Sequence, residues 1–431
     1  MSGNFKTPVV VLAGSPHGNL GIVRSLGRLG VDVYLLRTET NTVASLSRYC
    51  TQTLVWPGAA KDRNVCLDVL ARVAVQIGKR AILLPTCDDD AIFAAEHFET
   101  LRHSFIYPQQ SAELAHSLVS KKEMYFLAKK HNVPTPDALF PASLDETRQF
   151  ARAAKFPIMV KGVDGNRLKR KLGAGVLIAK SAADLMSICE RAGEGEQSNL
   201  MLQEYIPGSD NCVWMFNGYF DGNSNCLFGV TGRKIRQYPA YTGATSLGVC
   251  LENKNIQHTT RRWMKELGYR GILDIGYRYD ARDGQYKVLD VNPRIGATFR
   301  LFVAQDGMDV ARAMYLDLTG HPVVSAPVRE GRKWVVEDCD LGSSLRYWRD
   351  DTLTLPQWAR SLWGIQEAAY FAADDPLPFV NMCARSLKSK LNVGVSERNR
   401  KNYLHTTGVA HSMPKSLARE SLRRLIGGES V

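Results

Sequence analysis

The chain opens with an unbroken apolar run, PVVVL at residues 8–12, then the turn GSPHGNLG. IVRSLGRLG follows with apolar residues at helical spacing, then the apolar VDVYLLR. Short continuous apolar runs read as strands buried on both faces. A helix between two of them predicts the strand–turn–helix–strand start of a doubly wound α/β unit. A further run, AILLPT at 81–86, ends against Asp88, Asp89 and Asp90. LVSKKEMYFLAKKHN reads as one helix, stopped by Pro134 and Pro136. The pattern then changes. KFPIMVKG, GAGVLIAK, NLMLQEYIPG, CVWMFNGYF, CLFGVTGRKI and YKVLDVNPR are strand-like, with the helices LDETRQFARAA and AADLMSICERA among them. Strict alternation is gone, so an α+β region on antiparallel sheet is expected. From about 321 the chain reads as helical and aromatic-rich, in LRYWRDD and LPQWARSLWGIQEAAYF.

Composition narrows the class without naming it. A chain of 431 residues, 45% hydrophobic and 23% charged, has the make-up of a globular protein with material for two to four packed units. VVVLAG is too short for a secretory core, and no run approaches the roughly 20 apolar residues of a membrane span. A cytoplasmic protein is expected. The nine cysteines are scattered and never form CxxC, which excludes a disulfide framework and a cysteine zinc site. The net charge of +12 is concentrated at the end: from Arg385 onward ten Lys and Arg stand against three Glu. Charge gathered in a tail argues against a nucleic-acid-binding core. Within the tail, KSLARESLRRLIGG puts Leu417, Leu422, Leu425 and Ile426 roughly on one helical face. This suits a solvated helix, or contact with an anionic membrane surface or a partner.

Chemistry-bearing residues are spread thinly. Gly14, Gly18 and Gly21 do not have GxGxxG spacing and lack a clear acid about 20 residues on, so an NAD-dependent oxidoreductase is weakly supported. There is no Ser-His-Asp order, no HExxH and no Cys–His pairing, which favours chemistry done by positioning and charge. Asp290 and Asn292 in LDVNPR stand at i and i+2 on a strand, facing one side as hard oxygen ligands suited to Mg²⁺. Lys161 ends the apolar strand PIMVK, a position where a lysine needs a reason. Arg300, inside ATFRLF, needs an anion, either a substrate or a structural carboxylate.

Taken in order, the motifs from 116 to 302 resemble the ATP-grasp superfamily, in the style of D-aspartate-ligase-like carboxylate–amine ligases related to biotin carboxylase and D-alanine–D-alanine ligase. The resemblance implies an ATP-grasp fold, α/β and α+β, with an N-terminal Rossmann-like (pre-ATP-grasp) domain. The expected divisions are 1–115 for that domain, 116–205 for a central subdomain and 206–320 for a nucleotide- and metal-binding subdomain. A helical, aromatic segment over 321–384 and a basic tail over 385–431 complete the chain. The resemblance gives Lys121 and Lys161 to the nucleotide phosphates, with Lys122 as a rival for the first. It makes GVDGNRLKRKLGAG, read as a Gly-bounded basic hairpin loop, a phosphate lid, and Gln203, Glu204 and Ile206 the adenine hinge. Asp210 is the candidate acid for the ribose. Asp290 and Asn292 would hold Mg²⁺ or Mn²⁺. The family's second carboxylate falls at Gly276, and Asp274 is the candidate to replace it. Arg294, Arg233 and Arg300 are the candidate catalytic arginines, with Lys234 turned away from Arg233. The function implied is an ADP-forming ligase that activates a carboxylate as an acyl phosphate and joins it to an amine. Its substrates would be small molecules, and a homodimer is compatible. A regulatory protein that binds ATP without turnover is the alternative that Gly276 keeps open.

Overall fold

The computed structural model describes residues 5–12, 14–38, 43–59 and 62–388, so the amphipathic segment of the basic tail lies outside the described residues. The first unit runs β1 (Val9–Leu12), α1 (Pro16–Gly27), β2 (Val33–Arg37), β3 (Gln52–Val55), α2 (Arg63–Ile77), β4 (Ala81–Pro85), α3 (Asp88–Glu96), α4 (Phe98–Leu101) and β5 (Phe105–Ile106). Its strands are all parallel, in the order β3-β2-β1-β4-β5. Val9 and Val11 of β1 join one core and Val10 and Leu12 another, which is why that run had to be apolar without alternation. The strand order reverses between β1 and β4. Beyond their carboxyl ends Thr86 Oγ1 donates to Leu12 O at 2.7 Å and accepts from Gly14 N–H at 2.6 Å. A Cβ at Gly14 would lie 2.9 Å from that hydroxyl, so glycine is needed for the close approach.

The next helix is two helices. α5 (Ala112–Val119) and α6 (Lys121–Lys130) break at Ser120, whose hydroxyl accepts from Glu123 N–H as the cap of α6. An uninterrupted apolar spacing hid this break. The central unit is a four-stranded antiparallel sheet, β6-β9-β7-β8, made of β6 (Ala138–Leu139), β7 (Ile158–Gly162), β8 (Val176–Ala179) and β9 (Leu200–Glu204). α7 (Leu144–Ala153) and α9 (Ala182–Ala192) supply Ala151, Leu185, Ile188 and Cys189 to its core. The basic segment read as a hairpin loop contains a helix instead, α8 (Gly165–Leu172). Asp164 caps it, Gly173 ends it at φ +80°, and of its two apolar side chains Leu168 is buried against the sheet and Leu172 partly so.

The third unit is a seven-stranded sheet, β14-β13-β10-β11-β12-β15-β16. It comprises β10 (Val213–Phe220), β11 (Cys226–Tyr238), β12 (Ala244–Cys250), β13 (Gly271–Asp280), β14 (Gln285–Asn292), β15 (Lys333–Val335) and β16 (Ile365–Ala368), with α10 (Lys254–Glu266) and α11 (Val310–Leu318) packed on it. The region from 321 does carry helices, α12 (Glu337–Arg349) and α13 (Leu355–Leu362), but it also adds two strands to the sheet edge. Three and four residues are too few to show a strand period. Helix α1 of the first unit is tied to this region: Arg24 donates to Asp375 and to the carbonyls of Ala369, Tyr370 and Asp375. Among the described residues no helix is long and apolar enough to cross a membrane.

Candidate active site

The pairing register of the large sheet decides which side chains share a face. Asp274 stands opposite Asn217 and Asn292, Gly276 opposite Met215 and Asp290, and Met215 opposite Gly232. The next pair along β10 and β11 therefore turns Lys234 to the same face, by the period of two. The neighbouring residue, Arg233, is paired with Trp214 and lies over that ring at 5.9 Å, on the opposite face. The expected roles of the two are reversed: Lys234 points into the cleft and Arg233 is a packing residue. The opposite face is apolar elsewhere too, with Phe216, Leu273, Ile275 and Tyr277 packed on Trp263 and Met264 of α10.

Lys161 sits at the end of β7 and faces the same cleft from the central sheet. Burial holds its ammonium down to about 8, although the nearby Asp290 pulls upward; Lys121 and Arg278 push it further down. Burial likewise lowers Lys234, against the pull of Asp290, Asp274 and Asp210. Its donors go to the neutral Gln237 Oε1 at 3.1 Å and Gly243 O at 2.9 Å, so its charge is available to an anion. Lys121, the first residue of α6, reaches Val163 O at 3.2 Å beneath the basic helix α8. Its neighbour Lys122 lies over the Phe140 ring at 5.9 Å, which separates the two rivals.

Asp290 is exposed to the cleft and accepts from Asn292 Nδ2 at 3.1 Å. A Cβ at Gly276 would lie 2.4 Å from Asp290 Oδ1, so the aspartate itself fills the space of a side chain at 276. Asp274 is turned to the 293–296 turn: a Cβ at Gly296 would lie 2.3 Å from its Oδ2. Burial raises Asp274 to about 6, with Asp290 adding to the rise and Arg294 and Lys234 opposing it. Arg294 donates to Asn292 Oδ1 at 3.0 Å and to Asp88 Oδ1 at 2.8 Å, bringing the first aspartate after β4 to the site. The third, Asp90, serves the first unit. Asp90 accepts from Trp56 and Ala59, and Cys87 donates to it with a thiol pushed up to about 12, which leaves that cysteine inert.

Arg300 is not in the site. It is buried, paired with Asp309 and bidentate to Glu367 at 2.7 and 2.8 Å, with Arg332 sharing Glu367. Its anionic partners are structural carboxylates. At the hinge, Gln203 is buried in β9, Ile206 is buried beyond it, and the Glu204 side chain accepts from Lys287 and Arg282 at 2.8 Å each. Arg278, on the face of Asp274 and four residues further along β13, bonds Ile206 O at 2.9 Å and Gly208 O, fixing the hinge to the large sheet. Lys234 and Arg278 are the site residues not assigned from sequence. Arg278 was findable by its even spacing from Asp274. Asp210 accepts from Gln237 at 2.8 Å and from Tyr347 of α12.

The donors present fit a nucleotide and a divalent cation. Two partly desolvated ammonium groups face a cleft with an exposed carboxylate and an amide oxygen at i and i+2, as phosphates bridged by Mg²⁺ require.

Residues 120–317 match the carbamoyl-phosphate synthase L chain ATP-binding domain family. The chain is 23% identical over 323 residues to a D-aspartate ligase of Enterococcus faecium, covering 70% of this chain and 75% of that one. Its fold is that of an L-amino acid ligase from Bacillus licheniformis (TM-score 0.57, 14% identity, 76% and 78% of the two chains). The fold is equally that of a biotin carboxylase from Campylobacter jejuni (TM-score 0.56, 16% identity, 75% and 73%). Residues 120–317 thus match an ATP-binding domain family, and the chain as a whole is similar to a D-aspartate ligase and shares the fold of these ligases and carboxylases.

Proposed function

We propose that this protein is an ADP-forming ligase that activates a small carboxylate with ATP and joins it to an amine. The observation that carries this reading is the convergence of Lys161, Lys234, Asp290 and Asn292 on one cleft between two antiparallel sheets. Adenine lies against the main chain of Glu204 to Ile206, and the phosphates against Lys121, Lys161 and Lys234. Asp290 and Asn292 would hold Mg²⁺, with Asp274 the carboxylate available to supplement them, and the bound ion would supply neutralisation of the phosphate charge. A substrate carboxylate oxygen bonds the γ-phosphorus, the bond to the β–γ bridging oxygen breaks, and ADP leaves. The amine nitrogen then bonds the acyl carbon, inorganic phosphate departs, and the amine proton passes to solvent. Arg294, held by Asp88 and Asn292, supplies positive charge next to the transferred group.

ADP release from Mg·ATP, with amino acids and small carboxylates added singly and in pairs, tests this. A pair that stimulates release, with loss of at least about a thousandfold in Asp290→Ala, is the expected result. One observation favours a second reading, ATP binding without turnover: the single carboxylate Asp290 fills the place of two. ATP binding with no release under any pair would turn the choice to that reading.

A further inference from the structure

α12 belongs to the region after the ATP-grasp sheet's main strands, yet it reaches the nucleotide cleft through one residue. The Tyr347 hydroxyl donates to Asp210 Oδ2 and accepts from Tyr241 N–H at 3.1 Å. Its ring packs edge-on against Tyr241, centroids 4.7 Å apart. Tyr241 in turn is held by Asp350 and Thr352 through its hydroxyl at 3.0 and 3.2 Å, with its backbone at φ +69°. On the other side Gln237 donates to Asp210 Oδ1 at 2.8 Å, and Lys234 donates to Gln237 and to Gly243 O. Asp210, the loop 239–243 and the phosphate-facing Lys234 thus form one hydrogen-bonded unit, closed by Tyr347. Three further buried contacts press α12 onto the sheet there: Arg236 on Asp340 at 2.8 Å through both nitrogens, and Ser246 on Ser343 at 3.1 Å.

We propose that Tyr347 is a positioning residue for the nucleotide: it orients the Asp210 carboxylate to accept the ribose hydroxyls, and it ties that acid to the loop 239–243. This rests on the ATP reading above. A carboxylate has about four acceptor directions, so two protein donors fix its plane and leave room for a diol. A phenol–carboxylate bond in a half-buried setting restrains that plane. Tyr347 touches no reacting atom in this role. The loop it holds carries Gly243, whose carbonyl anchors Lys234, so the ribose end and the phosphate end of the site are braced together.

The test is the dissociation constant of full-length protein for ATP and for 2′,3′-dideoxy-ATP, by calorimetry, in wild type, Tyr347→Phe, Tyr347→His and Asp210→Asn. Wild type should prefer ATP by about tenfold or more, and Asp210→Asn should lose the preference. Tyr347→Phe keeps the ring. It should bring the preference to about twofold while dideoxy-ATP binds as in wild type, which also reports an intact fold. Tyr347→His, with a ring N–H in place of the hydroxyl, should recover part of it, and is the reading used if the Phe variant does not fold. Full preference in Tyr347→Phe alongside loss in Asp210→Asn would overturn the proposal, as would tighter ATP binding in Tyr347→Phe, which would make the tyrosine a blocker. Wild type that prefers ATP with no change in Asp210→Asn would sink the ribose role of Asp210. Failure of wild type to bind either nucleotide would instead sink the ATP reading itself.

Discussion

The two faces of β10, β11 and β13 are built from the same strands, one residue out of step, and they do opposite things. On one face Phe216, Leu273, Ile275 and Tyr277 close against α10, and the lone cation, Arg233, lies on Trp214. On the other, Asp274 and Lys234 carry charge, and Asn217, opposite Asp274, is a fully buried amide beside that carboxylate. Burying such groups costs stability, and a fold retains them where a ligand completes them. What separates a structural charge from a functional one here is whether the fold has already paired it. Arg300 shows the paired extreme, with two carboxylates; Lys234 shows the other, with neutral acceptors only.

That contrast can be broken at several points. The largest expected effect is on the paired side. Arg300→Leu leaves the buried Asp309 without its cation and Glu367 with Arg332 alone, and should cost about 3–5 kcal/mol of stability in denaturant unfolding. Any activity loss should follow the fraction unfolded. An Arg300→Leu protein that folds normally but does not turn over would restore the arginine to catalysis. A smaller effect is expected where α1 meets the C-terminal region. His17, beside Trp334 and Tyr370, is held down to about 4 by burial, although Asp338 pulls it up; the unfolded chain has it near 6.5. As pH falls below about 6.5 the unfolded state takes up this proton and the folded state does not until about 4. Stability is therefore lost across that window, by about 3 kcal/mol. His17→Phe should flatten that part of the profile, and an unchanged slope would mean that the imidazole is not held neutral.

Much of this was readable from the sequence, and the failures have definite causes. The doubly wound start, the antiparallel middle and the ATP-grasp order of motifs follow from local patterns: runs buried on both faces, Gly turns, and Asp290 with Asn292 two apart. Lys161 stood out because a lysine closing an apolar strand is anomalous on its own strand. The facing of Arg233 and Lys234 was not local. It depends on pairing with β10 and on register shifts in β11 after Lys234, which the sequence does not display. Arg300 was legible as a buried cation needing an anion, but one of its partners, Glu367, lies 67 residues away. α8 was misread because its glycines mark the cap and the stop of a helix as well as they mark a hairpin.

The most direct test of this account compares ADP release by Lys234→Met and Arg233→Met, neighbours with the same charge on opposite faces. With matched thermal midpoints, Lys234→Met should lose at least about a hundredfold in kcat/KM, and Arg233→Met should stay within about tenfold of wild type. The reverse order, or equal losses, would mean that the cleft-facing side of this sheet is not where the phosphates are held.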